Sequence, residues 1–162
     1  MVVNPNTVLK QVVVSGNDKC VVQQNGIDLT VAKIQRQLTH DDFVEVVRPC
    51  EREIGKWNDD PNDPSEHFLV FPGETVQVYF EQGIAIPDNM CAQIIGRSSF
   101  ARAGCIVWSG LFDAGFKTDA CGCMLFNAGC NAIAFNKGDR LAQLVVHEAD
   151  SASLYQGHWN GK

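Results

Sequence analysis

Two groups of residues within Gly96–Phe116 are of types that could do chemistry together. The first is Gly96-Arg97-Ser98-Ser99-Phe100-Ala101-Arg102-Ala103-Gly104, which reads as a tight turn into a short helix with Ser98 as its N-cap. Backbone N–H groups and the positive end of the helix dipole are then left to meet an anion. Arg97 adds a planar fork suited to phosphate oxygens. The second group, Gly110-Leu111-Phe112-Asp113-Ala114-Gly115-Phe116, places Asp113 between Phe112 and Phe116. A carboxylate in apolar surroundings is costly unless it has a partner or a proton to move. The combination points to a site that holds phosphates and does proton chemistry beside them.

Asn25-Gly26-Ile27-Asp28-Leu29-Thr30-Val31 is a further candidate, with Gly26 permitting a close approach and Asp28 interrupting an apolar strand. Taken alone, Asp28 reads as a turn carboxylate that caps backbone N–H groups. Gln143, in the otherwise apolar stretch Leu141–Val146, must find hydrogen-bond partners in the fold or in a ligand. Asp139 and Arg140 read as a turn and an ion pair. Cys121, Cys123 and Cys130 lack the paired spacing of a zinc site and read as packing residues.

The 162 residues are expected to form one β domain over 1–148, with 55–67 as a polar, proline-bearing loop insertion and 149–162 as a C-terminal tail. A net charge of −6 argues against a general nucleic-acid binder, which needs clustered Lys and Arg. No apolar run approaches the roughly 20 residues that span a bilayer, and the N-terminus lacks a signal-peptide pattern. Seven cysteines, an odd number, fit a reducing compartment, so a cytoplasmic location is expected.

To position these groups, the chain offers many short apolar or alternating runs separated by turn residues. Val12–Val14, Cys20–Val22, Phe43–Val47, Phe68–Phe71, Thr75–Phe80 and Cys91–Ile95 read as strands. Gly122–Asn127 and Ala132–Phe135 read as a strand pair joined through Asn127–Asn131, and Asn136–Val146 as a turn feeding a buried strand. Helix is a minor ingredient, and a closed barrel or two-sheet jelly roll is expected. Tyr155 and Trp159 in the tail admit two readings, a mobile end or a flap over a ligand or neighbouring subunit.

The ordered series Asn25–Leu29, Gly96–Arg102, Gly110–Phe116 and Gly138-Asp139-Arg140-Leu141-Ala142-Gln143-Leu144 resembles the dUTPase and dCTP deaminase superfamily, over about Asn25 to Val146. The resemblance implies an all-β, jelly-roll-like distorted barrel with one short helix, assembled as a homotrimer with sites at subunit boundaries. For a dUTPase it implies hydrolysis of dUTP to dUMP and pyrophosphate with Mg2+. Asp113 would then orient and activate the attacking water as general base. Arg97, Ser98, Ser99 and Gln143 would hold phosphates, Gly110 would be a further substrate-binding residue, Phe116 would pack the sugar face, Trp159 would stack on the base, and Asp28 would assist the metal through its waters. Phe116 stands where dUTPases usually have Tyr. The deaminase branch, which Gly96–Arg102 and Tyr155-Gln156-Gly157 also resemble, needs a glutamate three residues before an Asn like Asn127. Met124 stands there, and no carboxylate lies between Cys121 and Asn127. dUTP hydrolysis is the activity expected, with deamination, a bifunctional enzyme or a nucleotide-binding regulator with little turnover as alternatives.

Overall fold

The computed structural model describes residues 1–16, 18, 20–36, 67–157 and 160. Among these the elements are α1 (Pro5–Val12), β1 (Val13–Ser15), β2 (Val21–Val22), β3 (Ile27–Arg36), β4 (His67–Val70), β5 (Thr75–Phe80), β6 (Gly83–Ala85), β7 (Met90–Gly96), α2 (Ser98–Arg102), β8 (Cys105–Trp108), β9 (Leu111–Phe112), β10 (Lys117–Thr118), β11 (Gly122–Asn127), β12 (Ile133–Asn136) and β13 (Arg140–Glu148). The chain is mostly β, as its alternating runs require, but it holds two helices rather than one. In α1, Asn4 caps the helix by accepting from the Asn6 N–H at 3.0 Å, Pro5 sits at the first turn, and Pro5, Val8 and Val12 are buried. That helix takes Val12, which reads as strand in the sequence.

The main sheet runs β8-β11-β5-β3-β13-β7-β9, with β2 added beside β3. Its edge strands β8 and β9 are consecutive in the chain, separated only by Ser109 and Gly110, so the sheet must curl until its edges approach each other. Ser109 helps to close the gap, its Oγ accepting from the Ile94 N–H of β7 at 3.1 Å. Smaller sheets, β1-β6-β10 and β12-β4, cover this curled half-barrel. The expected β11–β12 pair does not form: β11 pairs with β5 and β8, and β12 with β4. The physical reason is Asn127, fully buried, whose side-chain amide donates to Val70 O and Asn131 O and whose Oδ1 accepts from the Gly129 N–H, turning the chain onto β4.

The core gathers Leu29, Val31, Val78, Phe80, Ile94, Leu125 and Leu144. Ile27 to Val31 of β3 are buried on both faces of the strand, so Asp28 and Thr30 lie inside the protein. The expected strand at Phe43–Val47 and almost all of the expected insertion 55–67 lie outside the described residues. Cys121 and Cys123 are buried and Cys130 is exposed. Among the described residues no helix is long and apolar enough to cross a membrane.

Candidate active site

Asp28 is the centre of a polar cluster rather than a turn cap. It lies within β3, directly opposite Gln143 of β13. Gln143 Nε2 donates to Asp28 Oδ1 at 2.9 Å, and Gln23 Nε2 donates to Oδ2 at 2.9 Å. Arg140 Nη1 donates to Oδ2 at 3.3 Å, and Arg97 Nε stands 3.7 Å from Oδ1. Gly26 makes room for this arrangement: a Cβ there would stand 3.2 Å from the Gln143 Cβ and 3.5 Å from its Oε1. The carboxylate is wholly buried, while the Arg97 and Arg140 side chains remain 28% and 42% exposed. Two guanidinium groups against one carboxylate leave one positive charge in excess, facing outward. A buried charge is tolerated when it is paired and hydrogen-bonded, and here both oxygens are.

Arg97 follows the end of β7 and is itself the N-cap of α2, with φ −70° and ψ 143°. Ser98, expected as the cap, is the first helical residue, and no side chain caps the helix. The Arg97 N–H donates to Leu141 O and its Nη1 to Arg140 O at 3.1 Å, fixing the arginine along the start of β13. Phe100 stacks on Phe135 with ring centroids 5.3 Å apart, which seats α2. Ser98 and Ser99 are exposed at its first turn.

Asp113 lies in the turn between β9 and β10. Phe112 and Phe116 pack at 5.3 Å, as their spacing implies, but Asp113 itself is exposed. The expectation of a carboxylate enclosed by apolar rings is therefore corrected. The turn closes through Phe116 N–H to Asp113 O at 3.1 Å, so the rings pack inward while the carboxylate points to water. Gly115, at φ +78°, supplies the left-handed residue that this turn needs. The tail packs on the same turn: Tyr155 meets Phe116 edge-on at 5.2 Å, its N–H donates to Ala114 O, and Asn160 Oδ1 accepts from the Lys117 N–H at 2.9 Å. Gly110 is exposed between β8 and β9. Trp159 lies outside the described residues.

The structure brings Asp28, Arg97 and Gln143 together and keeps Asp113 apart from them. In the β7–β9 ladder, Ala92 faces Phe112, which puts Asp113 near the start of β7 and Arg97 just past its end. Five residues of strand separate Ala92 from Arg97, roughly 17 Å at a rise of about 3.3 Å per residue.

A protein family described as dCTP deaminase-like matches residues 7–149. The chain belongs to this family. A dCTP deaminase of Pyrobaculum arsenaticum is 26% identical, aligned over 97% of this chain and 90% of that one. A probable deoxyuridine 5'-triphosphate nucleotidohydrolase of Halobacterium salinarum is 29% identical over 85% of this chain and 82% of that one. Among solved structures, a native EIAV dUTPase has a TM-score of 0.56 at 18% identity, covering 86% of this chain and 90% of that chain. A Staphylococcus bacteriophage 80alpha dUTPase with dUPNHPP has a TM-score of 0.54 at 15% identity, covering 83% and 76%. These structures share the fold, and the named relatives are enzymes that act on nucleotides.

Within this dCTP deaminase-like chain, sequence reasoning missed Gln23 and Arg140 as members of the Asp28 cluster. Arg140 was expected to pair with Asp139, whose Oδ2 instead accepts from the Asn136 N–H at 2.8 Å. A register shift between Arg140 and Ala142 in the β3–β13 ladder lets Arg140 and Gln143 reach the same carboxylate, an irregularity that strict alternation does not reveal. The donors around Asp28 also do not fit a magnesium ion. Both oxygens face N–H groups, two of the neighbours are cationic, and the carboxylate has no exposed surface. Among the described residues no group of three or more His, Cys, Asp or Glu could hold a metal.

Proposed function

We propose that this chain is a dUTP diphosphatase, hydrolysing dUTP to dUMP and pyrophosphate by water attack at the α-phosphorus. The observation that carries the reading is Met124. It sits in β11 opposite Gln77 and Trp108, partly exposed, at the position where the deaminase resemblance requires a glutamate. Methionine transfers no proton. Asp113, exposed beside Phe112 and Phe116, can reach a water molecule and acts as the general base. Arg97, Ser98, Ser99 and Gln143 hold the phosphates. Gly110 and Phe116 line the nucleoside, and Trp159 stacks over the base. Mg2+ accompanies the triphosphate, whose own oxygens suit it.

The active form proposed is a homotrimer with shared sites, because a phosphate clamp and a base at opposite ends of β7 serve one substrate poorly within a single chain. Trp108, Ile106 and Met124 form an exposed apolar face on β8 and β11 for such contacts. The working place proposed is the cytoplasm, with no nucleic-acid or membrane partner.

The test is pyrophosphate release from dUTP with magnesium by the native protein and by Asp113→Asn. A loss of roughly 100-fold or more in kcat supports the reading; equal rates, or none in the native protein, sink it. A second reading, dCTP deamination, draws on the Tyr155-Gln156-Gly157 motif, whose Tyr155 packs on Phe116, and on the deaminase relatives. Uracil nucleotide appearing from dCTP in ultraviolet spectra would favour it. Tight dUTP binding without hydrolysis would favour a nucleotide-binding regulator.

A further inference from the structure

We propose that Arg140 is a second anion-binding group of the phosphate site, and that Asp28 serves the two arginines rather than a metal. This rests on the reading of Arg97 as a phosphate ligand. Arg97 and Arg140 approach opposite oxygens of one buried carboxylate, 3.7 Å from Oδ1 and 3.3 Å from Oδ2, and Arg97 Nη1 also donates to Arg140 O. The two guanidinium groups are therefore held side by side. Among the described residues, Nε and Nη2 of Arg140 and Nη2 of Arg97 make no hydrogen bond within the protein, and both side chains keep exposed surface. Paired forks with outward donors and an excess positive charge suit a polyphosphate chain, whose oxygens can accept from both at once.

Asp28 has the opposite relation to solvent. Its oxygens are occupied by Gln143, Gln23 and the arginines, and the side chain is wholly buried. It cannot reach the ligand, so its role is to position. It sets the angle of each fork and cancels one of two like charges that would otherwise repel each other. Gln143 and Gln23, which bind the same carboxylate, hold that counter-charge in place.

The experiment is calorimetric titration of inorganic triphosphate into the full-length protein in EDTA. The probe has no base, sugar or metal, and no turnover is read, so a protein inactive on dUTP can still pass. The native protein is expected to bind. Arg140→Met should bind about tenfold more weakly. Asp28→Asn should also bind more weakly, and adding it to Arg140→Met should cost less than the product of the two separate losses. Circular dichroism establishes that each variant folds, and if Asp28→Asn does not fold, Arg140→Met decides alone. Native affinity in Arg140→Met overturns the proposal, as does a native protein that binds no triphosphate. Asp28→Asn binding triphosphate as tightly as the native protein overturns the positioning role.

Discussion

Asp28 and Gln143 face each other across the β3–β13 ladder and join through a 2.9 Å hydrogen bond from amide Nε2 to carboxylate Oδ1. The bond ties a buried charge to a residue three positions from the exposed Arg140, so packing behind the sheet is coupled to the cationic face in front of it.

Gly26 tests that coupling without touching a charged group. Its added Cβ in Gly26→Ala would meet Gln143 Cβ at 3.2 Å and Leu144 O at 3.3 Å, and a strand paired on both sides cannot move away freely. Denaturant unfolding should show a loss on the order of 1 kcal/mol. Triphosphate titration should show weaker binding, although residue 26 carries no polar side chain.

Trp108 offers a test of the proposed homotrimer. It is 66% exposed in the single chain, with Met124 directly opposite and Ile106 two positions before it. Trp108→Glu should therefore leave the circular dichroism spectrum unchanged and shift sedimentation to the monomer, with loss of turnover. A variant that sediments like the native protein would move the subunit contact elsewhere.

Altering the tail should separate binding from turnover. Tyr155 adds an aromatic edge to Phe116 and a backbone hydrogen bond to Ala114, at the Asp113 end of β7. Tyr155→Ala should lower kcat on dUTP by roughly tenfold while triphosphate affinity stays close to native. Steady-state kinetics beside calorimetry would check both halves.

Alkaline pH should weaken the fold through its thiols. Burial pushes Cys105 up to about 11 and Cys123 up to about 12 from an ordinary 9.0, and burial with Asp18 pushes Cys20 up to about 11. A raised folded pKa favours the protonated thiol in the folded state. The stability it contributes is fully present below about pH 9 and is lost as pH rises through 11 to 12. Denaturation midpoints compared at pH 8 and pH 10.5 should fall less steeply in Cys105→Ala than in the native protein. At pH 8, exposed Cys130 should react with iodoacetamide ahead of Cys20, Cys105 and Cys123.

Much of this was legible in the residues. Thr75–Phe80 and Gly122–Asn127 read as strands with the bounds that the structure gives β5 and β11, because alternation there matches one buried face. The α2 turn and the Phe112–Phe116 contact follow from local spacing. What spacing could not show was decided by remote partners. The α1 cap lies in Asn4-Pro5, before a valine-rich run that resembles a strand. Asn127 ties its loop to β4 through a carbonyl 57 positions away. Asp28 looked like a turn residue because nothing nearby in sequence announces that β3 is buried on both faces, or that donors from β13 and α2 converge on it.

The span of β7 between Arg97 and Asp113 also bears on inheritance. If each reaction draws Arg97 from one copy and Asp113 from another, two differently broken genes need not add up to a broken enzyme. Chains lacking Asp113 and chains lacking Arg97, mixed equally, would rebuild an intact pair at about one subunit boundary in four. Each defective allele would then rescue the other in part.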